Sequence, residues 1–263
     1  MRFLATAAVV VCFAVGSMQS ALAAGDPIVW PGHLHGWGLT TNKEVSALYN
    51  GASHNPHSTA SYRFRWGPGR PPLGKGSLLM AVGDAPNSRV AAVPPGLDDR
   101  SLETLRSLSY ATYLTSVSGS PLPIDFKVSL QSKSVGFTTL VYEPRIQSSP
   151  KPAAHEWQTW HAMSGEWWAT RVTGECSQAR PCDWSELRSR VGDDSMMYGA
   201  YFELGDSGSG AEGTACALDK VVINGTVYNM EVRPPRERHH APPRPEEVFC
   251  RAAVHPARPA VTC

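Results

Sequence analysis

Residues 124–131, IDFKVSLQ, alternate apolar and polar side chains without a break. In an extended chain Ile124, Phe126, Val128 and Leu130 fall on one side and Asp125, Lys127, Ser129 and Gln131 on the other, because successive residues of a strand face opposite ways. A helix would scatter the four apolar groups around its circumference. The segment satisfies its pattern only as a strand with one face on a core. Other segments follow the same rule. YRFRW (62–66) alternates aromatics with arginines, GSLLMAV (76–82) is apolar on both faces and stops at Gly83-Asp84, and GFTTLVYEP (136–144) ends at Pro144. MMYGAYFEL (196–204) is followed by LDKVVING (218–225), where Asn224-Gly225 predicts a tight hairpin into TVYNMEV. Leu102, Leu105 and Leu108 stand at helical spacing and predict one short helix or turn before a strand through Tyr110 and Tyr113.

Many short strands with hardly any helix predict an all-β chain: two packed antiparallel sheets forming a β-sandwich, with at most one short helix. A jelly roll is the expected topology, although periodicity alone does not separate it from other sandwiches. The turns are supplied by 23 glycines and 22 prolines, and no fixed-period repeat points to a propeller or solenoid.

The flanks read differently. Met1-Arg2, an apolar run from Phe3 to Gly16 and the small-residue site Ala21-Leu22-Ala23-Ala24 predict a secretory signal peptide over residues 1–24. The run is shorter than the ~20 residues of a membrane span, so no membrane span is expected. The sandwich domain is then 25–231, followed by a flexible Pro/Arg-rich tail over 232–263. A secreted protein, extracellular or associated with the cell wall, is the expected setting. Net charge is only +1, which gives no strong overall field for nucleic acid. Oligomeric state is not legible.

Beyond Cys12 in the leader, five cysteines remain: Cys176, Cys182, Cys216, Cys250 and Cys263. In an oxidising compartment they predict disulfides. Cys176 with Cys182 closes a compact loop containing Pro181, Cys216 with Cys250 would tie the tail to the body, and the odd Cys263 is left to pair between chains or to take Cys250 instead.

Five of the eight tryptophans lie between residues 156 and 184. On a strand, Trp157 shares a face with His155, Thr159 and His161, while Trp160 lies opposite with Glu156 and Gln158. Adjacent Trp167 and Trp168 must also point apart. The four cannot form one flat platform; about half should enter the core and half should stand outside. Trp157, Trp160, Trp167 and Trp168, with Gln158 and Tyr142, are the candidate ligand-binding residues, because an exposed indole stacks on the apolar face of a sugar while neighbouring polar groups take its hydroxyls. The competing reading is packing alone, since an indole needs only one N–H partner.

The expected function is a non-catalytic binding module for carbohydrate or a cell-envelope glycan, requiring no cofactor. One alternative is a glycoside hydrolase using Glu143 with Glu156 or Glu166, which needs carboxyls roughly 5 to 9 Å apart. Another is a purely structural secreted interaction protein. His33 and His35 could supply two ligands to a metal, but no third is identifiable, so they read as loop histidines. No G-x-S-x-G elbow, phosphate loop or dinucleotide fingerprint is present.

The order GKGSLLM, SLETLRSLSYATY, GFTTLVYEP, WQTW with EWWAT, and LDKVVINGTVYNMEV resembles secreted bacterial β-sandwich modules, chiefly actinobacterial and without a settled activity. The likeness covers about residues 28–231. More distantly, an Asp before the last hairpin is similar to jelly-roll carbohydrate-binding modules. That resemblance implies a structural calcium held in part by Asp219.

Overall fold

The computed structural model describes residues 26–41, 60–83, 88–116, 122–205 and 213–234. The predicted signal peptide, Cys250, Cys263 and the tail from residue 235 lie outside the described residues. In chain order the strands are β1 (Ile28–Val29), β2 (Gly38–Thr41), β3 (Ala60–Trp66), β4 (Gly76–Val82), β5 (Arg89–Val93), β6 (Arg100–Ser101), β7 (Leu108–Ser116) and β8 (Asp125–Ser132). They continue as β9 (Gly136–Tyr142), β10 (Trp157–His161), β11 (Glu166–Ala169), β12 (Cys182–Asp183), β13 (Met196–Gly205), β14 (Ala215–Ile223) and β15 (Thr226–Met230). One α-helix, α1 (Trp184–Val191), lies between β12 and β13.

Two sheets form a sandwich. In the first, β7 flanks β14 on one side with β10 beyond it, and β4 then β3 lie on the other. The far half of β14 pairs with β15, which carries β1 as a short parallel addition. The second sheet runs β12-β11-β9-β8-β13-β5-β2. The chain passes from β4 to β5 across the sandwich, back to β7, across to the β8–β9 hairpin, back to β10, across to β13 and home to β14. The central quartets are therefore β4-β14-β7-β10 and β5-β13-β8-β9. That double Greek-key order is a jelly roll, so the pairing supplies the topology that periodicity left open.

The core follows from strand parity. Leu78, Met80, Tyr110, Leu114 and Leu218 face inward from the first sheet, and Phe126, Val128, Leu130, Leu140, Tyr142 and Phe202 from the second. Phe202 sits 4.8 Å from Phe126 and 5.0 Å from Tyr110, ring centre to ring centre. Tyr110 is wholly buried, and its hydroxyl donates to the Ile124 carbonyl. Burial of side chains this large stabilises by about 1.5–3 kcal/mol each.

Local detail sharpens. The leucines at 102–108 form the expected short turn, a 3-10 segment Leu102–Thr104; Leu102 and Leu105 enter the core while Leu108 already belongs to β7. The α-helix is instead α1, whose Asp183 carboxylate caps the Glu186 amide and whose Trp184, Leu187 and Val191 are buried. The polar side of β8 is not wet: Lys127 is buried against Glu203 at 2.5 Å, and Ser129 sits between the hydroxyls of Thr139 and Tyr201. Burial pulls the Lys127 ammonium toward neutrality, but Glu203 and Asp125 more than reverse this and hold it charged.

The Cys176–Cys182 disulfide is formed. Cys216 is a correction. It is a free thiol on the inward side of β14, wholly buried between Met80 and Leu114, so a bond to Cys250 would need the tail to enter the core. Burial pushes that thiol up to about 12, which keeps it protonated and inert. No helix of the described residues is long and apolar enough to cross a membrane.

Candidate functional site

Strands β10 and β11 belong to different sheets, and each sends one indole inward and one outward. Trp160 is buried and donates from Nε1 to the Thr112 hydroxyl at 2.7 Å. Trp167 is buried too; its Nε1 donates to the Ala162 carbonyl, and its ring packs on Trp184 at 4.6 Å and Tyr142 at 5.5 Å. Tyr142 also faces the core, where burial raises its phenol well above the ordinary value. Trp160, Trp167 and Tyr142 therefore offer a ligand no surface, because strand parity commits them to the space between the sheets.

Trp157 faces outward on the first sheet and is half-buried, with its polar edge already engaged. Its Nε1 donates to the Pro68 carbonyl at 2.9 Å, and its ring meets Tyr113 edge-on at 5.6 Å. Gly69, at φ +54°, lies against the same tyrosine so closely that a Cβ would sit 3.4 Å from the ring. Loop 67–75 is thus strapped across the outer face of the first sheet. Gln158 is likewise internal in role, accepting from the Ala153 amide and donating to the Lys151 carbonyl, which fixes the loop before β10.

Asp219 anchors the same strap. The residue is fully buried; Oδ2 accepts from the Leu73 amide at 2.9 Å and Oδ1 from the Met230 amide at 3.1 Å. Nearby, Glu231 accepts from the Lys75 amide at 2.8 Å. Calcium requires six to eight oxygen ligands with free lone pairs. Both Asp219 oxygens accept from N–H donors, so as placed the residue anchors the loop. Among the described residues, the one close group of three potential metal ligands is Cys176, Cys182 and Glu186, and its two cysteines are disulfide-bonded.

Trp168 is the outward indole of the second sheet, half-buried, with Nε1 donating to Glu143 Oε2 at 3.3 Å. The other Glu143 oxygen takes the Arg145 guanidinium at 2.5 Å. Gln147 seals the back of this corner: its amide donates to the Glu143 and Glu166 carbonyls and accepts from the Glu166 N–H. Gly165 permits this close approach, since a Cβ there would sit 2.6 Å from Gln147 Oε1. The pairing of Trp167 with Tyr142 brings Glu166 beside Glu143 on this corner. Glu156 immediately precedes β10, a strand of the other sheet, and is exposed. Further along the same outer face, Phe137 stacks on Tyr198 at 6.2 Å, and Tyr198 is 55% exposed.

Sequence reasoning paired Glu143 with Glu156 or Glu166 but did not bring Trp168 to the same corner. It missed Arg145, Gln147, Phe137 and Tyr198. Arg145 and Gln147 follow Pro144 in what reads as plain loop, and the only available signal was their nearness to Glu143. His33 and His35 are exposed and stacked at 3.9 Å; burial and the neighbouring ring lower the pKa of His35.

Comparison with protein-family models and with curated proteins finds no match. Among solved structures, the family 11 carbohydrate-binding module of cellulosomal cellulase Lic26A-Cel5E of Clostridium thermocellum aligns at TM-score 0.38 and 10% identity, covering 76% of this chain and 91% of that one. The family 11 module from Clostridium thermocellum in complex with a beta-1,3-1,4-mixed-linked tetrasaccharide aligns at TM-score 0.37 and 12% identity, covering 76% and 92%.

Proposed function

We propose that this chain is a secreted, non-catalytic glycan-binding module whose ligand face is the outer surface of the second sheet around Trp168. One observation carries the reading: an outward indole is held beside a carboxylate and a half-exposed guanidinium at a single corner. The ring supplies an apolar surface for a pyranose, and the half-exposed Arg145 supplies donors for its hydroxyls. Glu143 orients both: it is buried, with one oxygen on Arg145 and the other on Trp168, and a carboxyl so engaged favours binding over hydrolysis.

The test is retention of the mature protein on gels cast with soluble neutral polysaccharides, with tryptophan fluorescence as a second readout. Trp168→Ala should abolish retardation, while Trp157→Phe, which alters only the strapped loop, should leave it intact. Retardation unaffected by Trp168→Ala would refute the assignment of the face. Release of reducing ends that Glu143→Gln abolishes would replace binding with hydrolysis.

A further inference from the structure

The far edge of the first sheet carries a feature the Trp168 corner does not use. Strand β3 is the last strand of its sheet and, among the described residues, pairs with β4 alone. Its aromatic positions do not disappear into the core: Tyr62 is 41% and Trp66 47% exposed, and Phe64 is half-buried between them. Soluble chains seldom leave two large rings outside on one edge strand without a use for them.

Cations flank the same edge. Arg63 and Arg65 alternate with the rings along β3 and so leave the strand on its other face, where a polymer running along the edge meets both. Lys75 follows at the adjoining turn, where its carbonyl accepts the Gly67 amide, and the Arg233 guanidinium lies 5.3 Å from the centre of the Trp66 ring. Arg65, half-buried, donates from Nε to the Trp66 carbonyl. The six ion pairs among the described residues all lie elsewhere, and none involves these four groups. The buried Glu231 accepts from the Lys75 amide. Among the described residues, four cations outside the ion pairs thus flank an edge that carries two exposed rings.

We propose that this edge is a binding strip for an acidic polysaccharide bearing uronate or sulfate groups, separate from the Trp168 face. Tyr62 and Trp66 stand four residues apart, about 14 Å along the strand at ~3.4 Å per residue, so they meet different sugars of one polymer. Their rings take the apolar faces of the pyranoses, and the arginine forks take the carboxylates or sulfates bidentately. A second copy of the chain does not fit: edge pairing of β3 with β3 would set arginine strips against each other, and like charge on an edge strand opposes such pairing. Arginine and aromatic groups would also suit single-stranded nucleic acid. The Cys176–Cys182 disulfide favours the glycan, because it belongs to an oxidising compartment where acidic polysaccharides are the available polyanions.

Binding of the mature chain to polygalacturonate and to heparin, measured by calorimetry at 20 mM and 500 mM NaCl, tests this. A neutral dextran and a single-stranded oligodeoxynucleotide serve as comparison probes. The expected result is binding to at least one acidic glycan at low salt, with most of the affinity lost at high salt. Trp66→Ala, and separately the double change Arg63→Gln with Arg65→Gln, should each weaken it at least tenfold, while Trp168→Ala leaves it unchanged. Trp66 and Arg63 are exposed, so thermal denaturation should show intact folds. No binding to either acidic glycan would overturn the proposal, as would tighter binding of the oligonucleotide or affinities indifferent to the β3 changes. Loss of acidic-glycan binding on Trp168→Ala would assign the site to the other face instead.

Discussion

Asp219→Asn isolates a single buried charge. The wild-type side chain is wholly buried beneath loop 67–75. Burial pushes its carboxyl up to about 7 from an ordinary 3.8, against the amides of Leu73, Met230 and Lys220 that favour the anion; the Glu231 charge adds to the rise. The folded chain therefore keeps a proton up to near neutrality that the unfolded chain releases near pH 4. Between those values the native state binds more protons, so stability falls as pH rises. The contribution is fully present below about pH 4 and is lost as pH passes through 7. A span of about 3 pH units at 1.36 kcal/mol each is on the order of 4 kcal/mol, against a total domain stability of about 5–15 kcal/mol. Asparagine does not titrate, and groups elsewhere titrate alike in both proteins and cancel. Urea denaturation followed by tryptophan fluorescence from pH 4 to 8 should show the wild type gaining on the variant steadily as pH falls. A difference that stays flat, or that grows toward alkaline pH, would refute the reasoning. It would mean that the three amides hold the carboxylate ionised in spite of its burial.

The remaining predictions are simpler. Trp160→Phe removes the donor that satisfies the Thr112 hydroxyl and leaves a void in the core, so it should cost about 2–4 kcal/mol, read by calorimetry as a Tm drop of about 2–4 °C per kcal/mol. Replacing both Cys176 and Cys182 by serine opens a loop whose ends are six residues apart, with an expected loss of about 2 kcal/mol. Reduced wild type should match that variant, and a larger loss in the variant alone would implicate packing of the cysteine side chains.

Period-two alternation made most strands legible, and with them the division of the four neighbouring tryptophans into two inward and two outward. It could not tell which outward positions are open. Trp157 reads as exposed because its own strand says so, yet its polar edge is engaged by Pro68, 89 residues away. Lys127 reads as wet for the same reason and is buried by Glu203, 76 residues away. β5, RVAAV, escaped notice because small apolar residues carry no alternation. At eight residues α1 is too short for periodicity to declare itself, although Asp183 and Glu186 already stood at capping distance.

The edge strand errs in the opposite direction. Alternation in YRFRW promises a buried aromatic face, and burial fails because a strand pattern specifies only a direction, while covering depends on what stands opposite. Among the described residues the second sheet ends at β2, a strand of four residues, and Tyr62 and Trp66 stay 41% and 47% exposed. Net charge misleads for a related reason. A sum over the chain cannot register that the ion-paired cations and the unpaired ones occupy different places. The ion pairs at Lys127, Lys133, Arg145, Arg180, Arg188 and Arg190 consume acids elsewhere, and the first-sheet edge keeps its arginines. A chain that is nearly neutral in total can therefore meet a polyanion through a local field, one that only the folded arrangement brings together.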